Sequence, residues 1–254
     1  MATLPLQPVR RQSEERFFFT MACLMAAVLV AGFGLNAALG RSSFGAPLIF
    51  HVHALTFFGW VVLYVTQNAL ILAGNRRFHR RLGWLALLWI PAMVVLGTVM
   101  TVTSLRTGGG PFFFDQNEFL FGNPLGILAF AALAGWAIVV RANTGWHRRL
   151  MFCAMAVLTG PGFGRLLPMP LLIPWAWWVS NLVPLVFPLA GMLADRRRTG
   201  AVHPAWYSGV AVIVGMLVVI DLVAYSPLGI SLTERVLAGS PGAGRQMEAF
   251  FPPS

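Results

Sequence analysis

The chain has 254 residues, of which 57% are hydrophobic and 10% charged, and its net charge is +10. Soluble domains carry about 25% charged residues, so a soluble fold of this length could not bury the apolar excess. All 18 basic residues are arginines, which excludes a retinal protein because that chromophore needs a lysine amine. The arginines lie in short clusters between apolar runs rather than on one basic face, which excludes nucleic acid as the expected partner.

The apolar residues form long uninterrupted runs, which excludes the alternating pattern of an outer-membrane barrel. They predict an all-α, polytopic membrane helix bundle of about seven transmembrane helices in a single membrane domain, 1–254. Residues 1–16 form a polar N-terminal segment, 17–225 the bundle, and 226–254 a C-terminal tail. The predicted spans are 17–39, 47–73, 82–104, 123–140, 150–167, 172–194 and 206–225.

The distribution of the arginines predicts the orientation of the bundle. With the N-terminus in the cytoplasm, 13 of the 18 arginines fall in cytoplasmic segments, as the positive-inside rule requires. The C-terminal tail then lies outside, and the chain is a multi-pass protein of the bacterial inner membrane with the lipid bilayer as its principal partner. The arginines left on the outer side are Arg41, Arg106, Arg165, Arg235 and Arg245.

Two predicted spans contain strong helix breakers. Thr159-Gly160-Pro161-Gly162 lies near the outer end of the fifth span and predicts that this helix bends or opens. The sixth span carries three prolines and is expected to be kinked. The prolines are Pro174, Pro184 and Pro188.

A short motif occurs twice, at the cytoplasmic start of the third and of the fifth span. The two copies read FHRRLGW from Phe78 and WHRRLMF from Trp146, so residues 47–167 resemble two copies of one helical hairpin. If the two helices are neighbours, His79 and His147 lie at equal depth and can face each other as ligands of haem iron. The alternative is that each His-Arg-Arg anchors a helix end to lipid phosphate.

Polar residues also mark one face of the second span. Gln67 follows His53 by 14 residues, nearly four helical turns, so both lie on about the same face. A polar stripe of this kind is typical of a quinone pocket or a proton path. The alternative is hydrogen bonding between neighbouring helices.

A second candidate site lies on the predicted outer side. His51 and His53 open the second span, and Asp115 and Glu118 lie in the loop after the third. Together they are a possible mixed nitrogen and oxygen ligand set for a transition metal. Two obstacles are that residues two apart on a helix point about 200° apart, and that single histidines often only bond a neighbouring helix. Asp221, near the same side, either reaches water or pairs with Arg165.

Taken as a set, the motifs resemble those of a broad group of uncharacterised bacterial membrane proteins. That pattern runs HxH, Trp, Gln, HRRLG, then HxRLM and a later arginine. It is represented here by His51, His53, Trp60, Gln67, His79, His147 and Arg165 within residues 50–167. The group brings no assigned reaction, but the resemblance marks Trp60 and Gln67 as further cofactor contacts.

A more distant similarity is to the transmembrane b-type cytochromes reduced by ascorbate. That family binds two haems, one between helices two and four and one between helices three and five. For the second of these haems, His79 and His147 are the matching candidates here. For the first, His51 or His53 is present on the second span, but the fourth span has no histidine.

Three functions remain open at this stage, and whether the chain is an enzyme stays undecided. The first is a haem b or quinone-linked electron-transfer protein that uses His79 and His147. The second is a cofactor-free accessory or scaffold subunit, or a small-molecule carrier, within a larger membrane complex. The third is a metal-dependent membrane enzyme or sensor that uses His51 and His53.

Overall fold

The computed structural model describes residues 6–42 and 45–251, with side chains from residue 12 onward, and contains no strand within these ranges. The described chain folds into eleven α-helices joined by short turns, with three additional 3-10 turns at Met169–Leu172, Val183–Leu185 and Pro241–Gly244. The helices are α1 Leu6–Ala38, α2 Leu48–Leu72, α3 Arg76–Gly83, α4 Ala86–Gly108, α5 Gln116–Val139, α6 Thr144–Val157, α7 Gly160–Leu166, α8 Ala176–Leu182, α9 Val186–Thr199, α10 Pro204–Ala224 and α11 Pro227–Leu237.

Six stretches of the described chain are helical, long and apolar enough to span a membrane. Each has 21 to 27 residues, and about 20 are needed to cross the hydrocarbon core. This confirms the predicted all-helical membrane architecture. The six are Gln12–Ala38, Leu48–Leu72, Ala86–Gly108, Gln116–Val139, Ala176–Thr199 and Pro204–Ala224.

The predicted fifth span, 150–167, consists of two shorter helices rather than one long one. α6 and α7 have 14 and 7 residues and are separated by Leu158 and Thr159. Pro161 stands in the first turn of α7, where its missing N–H costs least. The Thr159 hydroxyl donates to the carbonyl of Ala156 at 2.7 Å and so satisfies one carbonyl at the break. The breakers in the sequence therefore act as expected.

α7 packs against α1 at an unusually close crossing of two glycines. A Cβ atom placed on Gly32 would lie 2.4 Å from the carbonyl oxygen of Gly162, far inside van der Waals contact. Only residues without side chains allow two backbones to approach this closely. The glycines that break the fifth span thus also hold α7 against the first helix.

The core of the bundle lies around α5, which packs against α4, α6 and α10. Phe130, Leu133, Ala134 and Ala137 on α5 have no exposed surface. Many other apolar side chains of the long helices are exposed, as expected for surfaces that face lipid. The core thus holds the helix ends, where the candidate sites lie, in fixed positions.

The residues after α10 return onto the bundle. α11 packs against α4 and α5, and Arg245 donates hydrogen bonds to main-chain carbonyls of the α4–α5 connection, including Pro111 at 3.0 Å. The C-terminal tail predicted from residue 226 is therefore an ordered cover on one end of the bundle as far as residue 251.

Candidate functional site

The two histidines of the repeated motif lie close together at one end of the bundle, which we call the histidine-pair end. The ring centroids of His79 on α3 and His147 on α6 are 6.3 Å apart, and the ring planes are nearly perpendicular, at 83°. Both side chains are half-buried. The structure thus brings the two rings together, whereas their role stays a prediction.

Equivalent helix caps position the two rings. The side-chain oxygen of Asn75 accepts a hydrogen bond from the Phe78 amide, and that of Asn143 accepts from the Trp146 amide. Asparagine is among the preferred N-cap residues. Each histidine follows its cap by four residues, so the first turn of each helix carries the imidazole at the same position. Asn75 and Asn143 precede the two copies of the motif at the same spacing, so the repeat in the sequence extends to the helix caps.

A hydrogen bond orients the His147 ring, and burial favours the neutral form of the His79 ring. His147 Nδ1 lies 2.8 Å from the Ala137 carbonyl oxygen and, in the neutral ring, donates to it, so that Nε2 keeps its lone pair. His79 Nδ1 is buried without a hydrogen-bond partner among the described residues. Burial lowers the pKa of the His79 imidazole below the ordinary value of 6.5, and the neighbouring His147 lowers it further.

Gln67 of the second span lies beside His79 of the pair. Its main-chain carbonyl lies against the His79 ring, and its side-chain Nε2 is 3.4 Å from where a Cβ on Gly83 would be. Its Oε1 is buried and has no partner among the described residues. Gln67 therefore presents an unused acceptor close to the two imidazoles.

Trp60 lies two turns before Gln67 on α2, deeper in the bundle. It is 3% exposed, its ring meets the edge of Phe130 at 5.2 Å, and its Nε1 has no partner within the described chain. Buried polar atoms are normally hydrogen-bonded. Trp60 and Gln67 thus leave a donor and an acceptor free along one face of α2.

Exposed arginines surround the histidine pair. Arg141 lies over the Trp84 ring at 5.8 Å, and the end of Arg76 is 4.0 Å from Glu15. These side chains make the histidine-pair end strongly positive, which suits an anionic group at the membrane surface. The exposed arginines are Arg76, Arg77, Arg80, Arg81 and Arg141.

The structure does not assemble the metal site predicted from His51, His53, Asp115 and Glu118. Across the described ranges, no three His, Cys, Asp or Glu side chains lie close enough together to hold a metal ion. His51 Nε2 lies 3.1 Å from the Ala46 carbonyl, and the His53 ring stacks on Phe57 at 4.2 Å. Both histidines stand on the regular helix α2, where residues two apart point in different directions.

The acidic residues of that set have partners of their own. The Asp115 carboxylate accepts hydrogen bonds from the Tyr225 hydroxyl and the Ala249 amide, each at 2.7 Å. Glu118 is 5% exposed and lies beside Tyr225. Asp221 accepts a hydrogen bond from Trp178 at 3.1 Å, and no ion pair with Arg165 is found among the described residues.

One buried charge cluster at the histidine-pair end was missed by the sequence analysis. Arg149 is 5% exposed and donates two 2.8 Å hydrogen bonds to Asp195, which is 2% exposed. Glu14 accepts from Arg149 at 2.9 Å, and Trp206 donates to Asp195 at 2.8 Å. The cluster ties α1, α6, α9 and α10 together. The sequence contained one signal for this cluster. Asp195 is a carboxylate at the end of an apolar run, directly before Arg196, Arg197 and Arg198.

Fold and site together define an all-helical membrane protein with a pair of facing imidazoles near one end. Comparison with protein-family models, with curated proteins and with solved structures finds no match for this chain. What the site does must therefore be argued from its own chemistry.

Proposed function

We propose that the chain is an electron-transfer protein of the bacterial inner membrane that binds one haem b between His79 and His147. The observation that carries this proposal is the facing pair of half-buried imidazoles, 6.3 Å between centroids. Haem iron takes its axial ligands from side chains of this type.

The distance between the rings fits two ligands of one metal centre. A metal-bound imidazole nitrogen lies about 2.0 Å from the metal, and the ring centroid is about 1 Å farther away. Two imidazoles that held one iron would therefore have centroids up to roughly 6 Å apart, which fits the distance between His79 and His147.

The number of ligands favours haem over a bare metal ion. Structural and catalytic zinc sites use three or four protein ligands, and the described chain offers no third His, Cys, Asp or Glu beside the pair. In haem the porphyrin supplies the other ligands of the iron, so two imidazoles would be sufficient protein ligands. The bound group would supply reversible one-electron chemistry.

The neighbouring residues suit such a group. The hydrogen bond to Ala137 fixes the orientation of the His147 ring and leaves Nε2 for the metal. Gly83 adds no side chain, and within 4 Å of its Cβ position only Gln67 Nε2 is found. The exposed Arg80 and Arg81 are placed to pair with propionate groups at the membrane surface.

The free polar atoms of Gln67 and Trp60 support a quinone as the electron partner. A quinone needs hydrogen-bond donors for its oxygens, a quinol needs acceptors, and α2 offers both in buried positions. Both lie on the helix face that begins next to the imidazole pair. Electrons would then pass between a lipid-soluble carrier and the haem within one membrane protein.

We infer further that α6 and α7 together form a seventh crossing, with the N-terminus in the cytoplasm and the C-terminus outside. Residues 144–166 include both helices and the break, a length sufficient to span the bilayer. The arginine bias supports this orientation. The histidine pair then lies near the cytoplasmic surface.

Visible absorption of the purified protein in mild detergent tests the haem proposal. We expect a Soret band, with resolved α and β bands after dithionite reduction, and loss of these bands in His79→Ala and in His147→Ala. His203→Asn is the matched control, because His203 caps α10 through its ring nitrogen and asparagine also caps helices. The control should keep the spectrum.

Two results would contradict the proposal. One is a spectrum that survives both alanine substitutions, which would place the haem elsewhere. The other is a protein that stays colourless after expression with added haem and after reconstitution, which would favour an accessory or carrier role without a cofactor.

A further inference from the structure

A second site lies at the end of the bundle opposite the histidine pair, around Arg165 on α7. Its guanidinium carbon stands 4.0 Å from the centre of the Phe33 ring of α1. Phe33 in turn meets Phe58 of α2 at 5.4 Å. The charged group is therefore held where α1, α2 and α7 come together.

No carboxylate of the described residues forms an ion pair with this arginine. Among the described residues, the ion pairs involve Arg76, Arg148, Arg149 and Arg198, and none involves Arg165. Its NH1 donates to the Pro161 carbonyl at 2.9 Å. Its Nε is buried and has no partner within the part of the chain that is described. An unpaired charge in a membrane bundle is costly and marks a functional position.

Among the described residues no acceptor bonds the other edge of the guanidinium, and we call this unpartnered edge the open edge. NH1 is committed to Pro161, and Phe33 covers the face of the group, so Nε and NH2 remain as two parallel donors. This edge matches two oxygens of one phosphate or carboxylate group. Because Phe33 and Pro161 fix the plane, little conformational entropy would be lost on binding.

His53 adds a second polar group to the same place. His53 lies little more than one turn before Phe58 on α2, on the helix that contacts the Phe33 ring under Arg165. His53 Nδ1 is buried without a partner among the described residues. The two groups come from different helices, α2 and α7. Their convergence, with no described carboxylate paired to Arg165, favours an anion rather than a cation.

We propose that the open edge of Arg165, with His53 beside it, binds a phosphate group. Leu166, the next residue, and Trp175 are 39% and 66% exposed, and exposed tryptophans of membrane proteins lie at the depth of the lipid headgroups. Phosphate is the oxyanion that every phospholipid carries at that depth. The phosphate belongs either to a lipid headgroup or to a soluble molecule, and the site does not depend on haem binding at the other end.

Calorimetric titration of the purified full chain in detergent separates the two sources. The probes are dihexanoyl phosphatidylglycerol and inorganic phosphate. We expect binding that is about tenfold weaker in Arg165→Gln, the loss typical of charge-assisted hydrogen bonds. Arg106→Gln is the matched control, since Arg106 lies at the same end and bonds the Val236 carbonyl.

Each outcome decides the proposal. Phosphatidylglycerol binding that depends on Arg165 and is not displaced by inorganic phosphate identifies a lipid headgroup. Displacement by inorganic phosphate identifies a site open to soluble phosphate. Equal binding to the wild type and Arg165→Gln, or no binding of either probe to the wild type, overturns the proposal.

Arg165→Lys provides a second variant, which keeps the positive charge but removes the two parallel N–H donors of the guanidinium. It should bind phosphatidylglycerol more weakly than the wild type because an ammonium cannot offer two parallel donors. It also serves as the test if Arg165→Gln fails to fold. Wild-type affinity in Arg165→Lys would contradict the role of the open edge.

Discussion

The hydrogen bond between His147 and the Ala137 carbonyl shows how one contact can prepare a ring for ligation. In the neutral imidazole, the nitrogen that donates to the carbonyl determines which nitrogen keeps a lone pair. Ala137 lies on α5, the central helix, and is fully buried. The orientation of the His147 ring is thus set by a buried carbonyl of the central helix.

The lowered pKa of His79 predicts an acid-labile protein when no haem is bound. In the unfolded chain His79 takes up a proton as the pH falls through about 6.5, whereas the buried ring of the folded chain resists protonation. Folded-state stability is therefore full above pH 7 and is lost as the pH falls toward the lowered pKa. The melting temperature of the haem-free protein should fall by a few degrees between pH 7.5 and 5.5.

The control for this pH dependence is the variant His79→Gln, measured by the same thermal melts. Its melting temperature should change less over this interval, because it lacks the imidazole with the lowered pKa. An identical pH profile in both proteins would show that other groups cause the change.

The buried pair of Arg149 and Asp195 predicts a large loss of stability on substitution. Asp195→Ala leaves the Arg149 guanidinium buried with Glu14 as its remaining carboxylate partner in the cluster, and breaking such a pair costs about 3–5 kcal/mol. The comparison is Arg76→Gln, which removes an exposed pair with Glu15 at 4.0 Å and should cost at most about 1 kcal/mol. Denaturation in detergent measures both, and equal losses would contradict the argument.

At the scale of elements, the crossing of α1 and α7 depends on the absence of two side chains. Gly32→Ala would place a methyl group 2.4 Å from the Gly162 carbonyl oxygen, so the helices must move apart. Overpacking of this kind costs about 1–3 kcal/mol. The loss should appear as a lower melting temperature.

Gly34, two residues later on α1, is the matched control for this crossing. Nothing lies within 4 Å of a Cβ at this position, so Gly34→Ala should be neutral or slightly stabilising, since alanine favours helix more than glycine does. If the two alanine variants melt alike, α1 and α7 do not cross as closely as described.

At the scale of the whole molecule, the number of crossings decides where the termini lie. Seven crossings place the two termini on opposite sides of the membrane, and six place them on the same side. We expect an alkaline phosphatase fused after residue 251 to be active outside the cytoplasm. A fusion after residue 143, between α5 and α6, should be inactive. An inactive C-terminal fusion would mean that α6 and α7 do not cross.

Much of this architecture could be predicted from the sequence because it depends on local patterns. Apolar runs of sufficient length became the long helices, and Thr159-Gly160-Pro161 broke the fifth span as expected. The repeated motif also indicated that His79 and His147 approach each other. These features follow from backbone chemistry and spacing within short segments.

What the sequence could not supply were pairings between distant residues. Arg149 and Asp195 are 46 positions apart, and the residues next to either one in the sequence do not indicate which residue it pairs with. Asp115 was expected to help bind a metal, but Tyr225, 110 positions away, occupies its carboxylate. Such contacts depend on how helices rotate about their axes, which composition does not determine.

The charge cluster around Arg149 also sets an order for biosynthesis. Glu14 leaves the ribosome about 180 residues before Asp195, which at ordinary rates of translation is an interval of roughly ten to forty seconds. During that interval α1 can contact Arg149 only after α6 has been synthesised, and Arg149 then has Glu14 as its one carboxylate partner in the cluster. The contact of the first helix with this cluster is therefore completed only when α9 follows.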